Sequence, residues 1–190
     1  TIQNDDVALS IVATSADKTE GNTGTTAFTF TVTRSGDTTS AVSAAYTLTA
    51  TDTNASDFTG STTGTVSFAG GVTSQLITLT VVGDTVVEAD ESFTIMLLGH
   101  AGMNVGFDAG VDVANGVIRN DDASVSIAAT SSIKSEGQTG NSAYTFTLTR
   151  TGNISAPATV DYAVTGSGAT ADDFVGGVFP SGTVNFAAGV

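Results

Sequence analysis

The sequence predicts an all-β fold: an antiparallel sandwich of seven strands, followed by a truncated second copy of the same unit. Three observations carry this reading. Apolar and hydroxyl residues alternate in short runs, as in Phe28-Thr29-Phe30-Thr31-Val32 and Ile77-Thr78-Leu79-Thr80-Val81, the period of a strand with one face buried. Turn residues separate the runs, at Ser35-Gly36-Asp37, Gly70-Gly71 and Gly83-Asp84. Long stretches also recur. TIQNDDVALSIVAT at residues 1–14 returns as VIRNDDASVSIAAT at 117–130, FTFTVTRSG at 28–36 as YTFTLTRTG at 144–152, and GTVSFAGGV at 64–72 as GTVNFAAGV at 182–190.

The strands are expected at residues 7–13, 27–33, 42–49, 64–68, 74–82, 93–98 and roughly 111–119. The first lies in the repeated opening segment, and the second is centred on Phe28 and Phe30. Tyr46 marks the third and Phe68 the fourth. The clearest alternation belongs to the fifth (Ile77, Leu79, Val81) and the sixth (Phe93, Ile95, Leu97), and the seventh runs into Asn120-Asp121-Asp122. Seven such strands, each apolar on one face, close as two stacked sheets, immunoglobulin-like in architecture but without the Cys–Trp–Cys pattern of antibody domains. Phe28, Phe30, Tyr46, Phe68 and Phe93 are the expected core aromatics.

The repeat divides the chain into residues 1–6, the tail of a preceding unit; 7–122, a complete sandwich; and 123–190, the N-terminal part of a second one. A period of ~20–50 residues indicates a solenoid or propeller; the longer unit here is a domain in its own right, so the expectation is a window on a tandem array of beads. In the second unit the match ends at Val190, which pairs with Val72, and nothing corresponds to residues 73–116. Sheet edges and an apolar face should therefore stand open on residues 123–190 and favour self-association.

Composition excludes several functions. The 190 residues include no cysteine and no tryptophan, which removes disulfide scaffolds, zinc thiolate sites and cysteine nucleophiles. With 19 acidic and 5 basic side chains the formal charge is −14, which argues against a phosphate backbone as partner. No apolar run is long enough to span a membrane. His100, the single histidine, sits between Gly99 and Gly102 in an expected loop and makes no zinc site alone. The Ser-Gly and Thr-Gly pairs are turns without a strand-to-helix context, so no nucleophile elbow is present. Glu88 and Glu91 have the chemistry of a glycosidase pair, but the aromatics of a sugar cleft are missing. No enzyme is expected.

The acidic residues gather at strand ends. Asp84, Glu88, Asp90 and Glu91 crowd the turn between the fifth and sixth strands, read as an acidic hairpin. Glu20, Asp52 with Asp57, and Asn120-Asp121-Asp122 flank other strands. Arg119 is the only lysine or arginine between residues 35 and 133. In a seven-strand sandwich the first, third and fifth connections emerge at the pole where the last strand ends. Glu20, Asp57, the acidic turn and Asp121-Asp122 should therefore converge. Clustered like charges repel unless a cation joins them, and calcium, which takes six to eight oxygens in flexible geometry, fits best. A bare, solvated acidic surface is the alternative.

The segment GTVSFAGGVTSQLITLTVVGDTVVEADESFTIML (64–97), with Asn54-Ala55-Ser56-Asp57-Phe58 before it and VIRNDD (117–122) closing it, resembles the Calx-beta domain. The family occurs in the sodium/calcium exchanger, in integrin beta-4 and in large bacterial surface and secreted proteins. The resemblance covers residues 7–122 and as much of the second unit as is present. It implies calcium ligands at Glu20, Asp57, Asp84, Glu88, Glu91, Asp121 and Asp122, with the Val86 carbonyl adding one more. Gly83 and Asn120 stand where strongly loading members carry aspartates, which implies fewer ions or weaker binding.

The expected function is thus a non-catalytic, calcium-binding spacer of a bacterial extracellular or cell-surface repeat protein, partnered by calcium ions and neighbouring repeats, with adhesion as a further role. A calcium-sensing regulatory domain and a ligand- or carbohydrate-binding module are the alternatives. Asp122 runs directly into Ala123 with no linker, so a cation there is expected to stiffen the junction.

Overall fold

A computed structural model of the chain describes residues 5–101, 105–107 and 112–190. It falls into two compact units, Thr1–Asp122 and Ala123–Val190. In unit one the strands are β1 (Val7–Ser15), β2 (Asp17–Thr19), β3 (Thr25–Gly36), β4 (Val42–Ala50), β5 (Phe58–Thr59), β6 (Thr63–Phe68), β7 (Ser74–Val82), β8 (Glu91–Ala101), β9 (Val105–Phe107) and β10 (Val113–Arg119). They form two sheets, β5-β7-β3-β1-β9 and β2-β10-β8-β4-β6. The fold is the immunoglobulin-like sandwich that the alternation implies.

The alternation explains the core. Leu9 and Ile11 of β1, Phe28, Phe30 and Val32 of β3, Ile77, Leu79 and Val81 of β7, and Phe93, Ile95 and Leu97 of β8 all turn inward and are buried. Phe93 occupies the centre: its ring meets Phe58 edge-on at 5.2 Å and Phe30 edge-on at 6.0 Å, and lies 6.0 Å from Phe28. Across the ladder stands Gly116. A Cβ there would fall 2.3 Å from the Phe93 ring, so glycine is what lets the ring lie flat on β10. Phe68 is buried as expected, while Tyr46 is only partly buried against the core.

Four differences from the sequence reading matter. Three short strands, β2, β5 and β9, join the seven expected; β2 and β9 pair in parallel, with β10 and β1 respectively. The last strand starts at Val113, and Val111 lies outside the described residues, as do residues 1–4 of the expected N-terminal tail and Gly102. His100 belongs to strand β8 rather than a loop, and its ring packs edge-on against Phe107 at 5.6 Å. The acidic turn is no hairpin, because β7 and β8 belong to opposite sheets. Residues 83–90 instead cross from one sheet to the other over the end of the sandwich.

Unit two contains β11 (Ala123–Ser131), β12 (Thr145–Gly152), β13 (Ala158–Ala163) and β14 (Ser181–Phe186), paired as β11-β12 and β13-β14. It copies unit one in detail. The pairing of Ala123 with Gly152 repeats that of Val7 with Gly36, down to the register shift at Ala129/Ser131 and Ala13/Ser15. A single 3-10 turn recurs as well, Ala55–Asp57 in one unit and Ala171–Asp173 in the other.

Candidate metal centre

The chain brings its carboxylates together by switching sheets early. After β1 has paired with β3, Ala16 is buried and its carbonyl accepts from the Val117 N–H at 2.7 Å. Strand β2 then runs parallel to β10, with Asp17, Lys18 and Thr19 opposite Val117, Ile118 and Arg119. Two parallel neighbours leave a sheet at the same end. Glu20 therefore emerges beside Asp121 and Asp122, although about a hundred residues separate them in sequence.

Hydrogen bonds lock these two segments. The Gly21 N–H donates to Asp121 Oδ1 at 3.2 Å, and Asn22 Nδ2 donates to Asp122 Oδ1 at 2.6 Å. Glu20 retains 5% of its exposure and Asp122 3%. One carboxylate oxygen each from Glu20, Asp121 and Asp122 lie within 4.8 Å of one another. The other oxygen of Asp122, Oδ2, is fully buried and has no hydrogen-bond partner. A buried carboxylate oxygen without a donor is costly, and a cation held among this trio could satisfy it.

The other acidic residues of the predicted set lie on the crossing connection, on the 3-10 turn and at the start of β8, and are not part of that close trio. Asp84 Oδ1 accepts from the Val86 N–H at 2.7 Å, closing a tight local turn. The Glu88 N–H donates to Asn120 Oδ1 at 3.3 Å, tying the connection to the end of β10. Asp57 ends the turn capped by Asn54, whose N–H donates to Asp57 Oδ2 at 2.6 Å. Glu91, at the start of β8, pairs across the ladder with Ile118. The Val86 side chain is exposed.

The electrostatics tie the set together. Burial, with added repulsion from Asp84, Glu88, Asp122 and Asp121, pushes the Glu20 carboxyl up to about 7. Burial, a hydrogen bond with Asp57 and the charges of Asp57, Glu88 and Glu20 push Glu91 up to about 7. Burial, Asp84, Asp57 and Asp122 raise Glu88. Arg119 does not relieve this crowding. Its guanidinium binds Asp17 at 2.5 Å and Asp90 at 2.9 Å, outside the set.

Sequence reasoning missed Asn22 and read Asn120 and Gly83 only as lost ligands, whereas all three hold the pole in place. Asn22 fixes Asp122. Asn120 accepts from Glu88 and from the Asp122 N–H (3.3 Å) and donates to the Asp122 carbonyl at 3.1 Å. An aspartate at 120 has no N–H to donate in that way. Gly83 is also accounted for: a Cβ there would lie 2.1 Å from the Gly21 carbonyl oxygen, so the loop carrying Glu20 rests directly on its backbone. Asp52 accepts from Ser92 Oγ at 2.8 Å. A polar residue two positions after Glu20 was the only available sign of Asn22.

An acidic pole of carboxylate oxygens at one end of an immunoglobulin-like sandwich offers the donors that a hard cation would need. A profile of the Calx-beta domain family matches residues 3–122, and the chain belongs to that family, whose members are structural, non-catalytic modules. No curated protein matches the chain in sequence. Among solved structures, the apo form of the Calx CBD1 domain is similar at 26% identity and a TM-score of 0.51, over 62% of this chain and 100% of that one. CBD12 from CALX1.2 is 22% identical with a TM-score of 0.55, over 95% of this chain and 71% of that one. The calcium binding domain CBD12 of CALX1.1 is 23% identical with a TM-score of 0.51, over 80% of this chain and 54% of its own length. The last two likenesses show the fold alone. No helix among the described residues is long and apolar enough to cross a membrane.

Proposed function

We propose that unit one is a calcium-binding structural spacer, with calcium held by Glu20, Asp57, Asp84, Glu88, Glu91, Asp121 and Asp122 and by the Val86 carbonyl. The observation that carries this reading is the buried, donor-free Oδ2 of Asp122 beside Glu20 and Asp121, in a pole whose only nearby guanidinium is engaged elsewhere. The donor set contains oxygen and no nitrogen or sulfur, which favours a hard cation over zinc or copper. Calcium suits it better than magnesium, because donors on four separate segments match a large ion of loose geometry better than a tight octahedron.

The rest of the reading concerns the setting. Residues 123–190 are the N-terminal part of a second Calx-beta repeat, and β11 begins one residue after Asp122. A cation on Asp121 and Asp122 therefore holds the end of the connection between repeats, and calcium stiffens the array. A charge of −14 suits a bacterial extracellular or cell-surface protein loaded mechanically, where millimolar calcium fills weak sites. The second reading, a calcium sensor, is favoured by the exposed connection from Asp84 to Asp90, which a cation can reorder.

Calorimetric titration tests the site. The chain should bind calcium with release of heat and of protons, and bind magnesium at least tenfold more weakly. Unchanged binding in both Asp84→Ala and Glu88→Ala would rule the site out. A midpoint near micromolar calcium with a large structural response would favour the sensor over the spacer.

A further inference from the structure

We propose that Arg119, with Asp17 and Asp90, is a positioning clamp: it holds three segments of unit one at the spacing that calcium binding at their ends requires. This role rests on the calcium reading of unit one.

The topology puts one guanidinium where the three segments meet. Strand β10 lies between β2 and β8, and Arg119 is its last residue. On one side Arg119 Nε donates to Asp17 Oδ1 at 2.5 Å and Nη2 donates to Asp17 Oδ2 at 2.8 Å, a two-point fork. On the other side Nη1 donates to Asp90 Oδ2 at 2.9 Å, and the second oxygen of Asp90 accepts from the Asn120 N–H at 3.1 Å. Alternation along β2 makes the fork available. Lys18 turns to the Phe28 ring, its Nζ 5.2 Å from the centroid, so Asp17 faces the other way. The hydrogen bond from Arg119 holds the Asp17 carboxyl below its ordinary range.

Each anchor stands beside proposed ligands. Asp17 lies just before Glu20, Arg119 just before Asp121 and Asp122, and Asp90 between Glu88 and Glu91. Both ion pairs are about half exposed, so they add little to the stability of the sandwich. What they supply is geometry. The fork fixes the distance between strands where their ends turn into the acidic pole, and a site assembled beforehand loses less freedom when the ion arrives. The clamp also belongs to this copy of the repeat. SADKTEG at 15–21 returns as SSIKSEG at 131–137, so Ile133 stands at the position of Asp17 and offers no acceptor.

Charge and geometry predict opposite signs here. By charge alone, Arg119→Gln leaves the pole more negative and tightens calcium binding, most of all at low salt. By geometry, it frees three segments and weakens binding. Calorimetry on the whole chain decides between them. Arg119→Gln should weaken calcium binding about tenfold, with melting under chelator nearly unchanged. Arg119→Lys, which keeps the charge but not the fork, should weaken it too. Without metal, the Glu88 and Asn120 amides of Arg119→Gln should exchange hydrogen about tenfold faster, while those of β3 and β7 keep their protection. Unchanged or tighter binding in Arg119→Gln, or full affinity in Arg119→Lys, overturns the clamp and leaves the calcium site standing. A large fall in melting under chelator overturns it as well, because Arg119 then serves the fold and not the site. Absence of calcium binding in the unaltered chain overturns the calcium reading itself, and the clamp with it.

Discussion

At Glu20 burial and like charge act in the same direction, and the sign of the consequence can be worked out. Burial and like charge push its carboxyl, like that of Glu91, up to about 7 in the folded chain, against roughly 4.3 when unfolded. Between those values the folded state holds protons that the unfolded state has released. The metal-free protein is therefore stabilised below the lower value and loses that stability as pH rises to 7. Melting temperatures under chelator should fall from pH 5 to pH 8, whereas saturating calcium should flatten or reverse the slope. Glu20→Gln separates the two effects. Without metal at pH 8 it should raise stability by about 1–3 kcal/mol, since the buried charge is gone. With calcium it should weaken binding at least tenfold in calorimetry. A loss of stability under both conditions would mean that Glu20 serves packing alone.

Among the elements, β8 and the crossing connection before it carry both the core and the site. Phe93→Ala removes the ring at the centre of the aromatic cluster and should cost about 3–5 kcal/mol in denaturant unfolding. Gly116→Ala forces a methyl into the same ring and should cost about 1–3 kcal/mol by overpacking. Gly83 tests the connection. By composition alone, Gly83→Asp adds a calcium ligand; by geometry, its Cβ meets the Gly21 carbonyl and lifts the loop that carries Glu20. The expected result is weaker calcium binding and lower stability, and tighter binding would show that the loop yields easily.

For the whole molecule, the consequence of the site lies at the junction. The segment 121–122, proposed to hold calcium, is followed directly by β11 at Ala123 with no intervening residue, unlike the polar or glycine-rich connectors of freely jointed domains. In a chain with two complete units, small-angle scattering should show a longer maximum dimension and a more rod-like profile with calcium than with chelator. Added salt should restore only part of the difference, because screening weakens repulsion without supplying a bridge. Identical profiles in the two conditions would remove the stiffening role even where calcium binds.

What the sequence determined by itself was everything with a short period or a long repetition. Alternation at Phe28, Phe30, Ile77, Leu79, Phe93 and Ile95 made strands, and their apolar faces required a two-sheet sandwich, because burial in a strand follows from neighbours two residues away. Repetition marked the second copy, and the crowding of carboxylates at strand ends was visible residue by residue. Tertiary structure alone decided which distant groups meet. The parallel pairing of β2 with β10, the hold of Asn22 on Asp122, the engagement of Arg119 with Asp17 and Asp90, the contact of Gly83 with Gly21 and the crossing of residues 83–90 between sheets leave no local pattern. Each depends on separations in space between segments far apart in sequence, and charge, hydrogen bonding and steric exclusion all act through that distance.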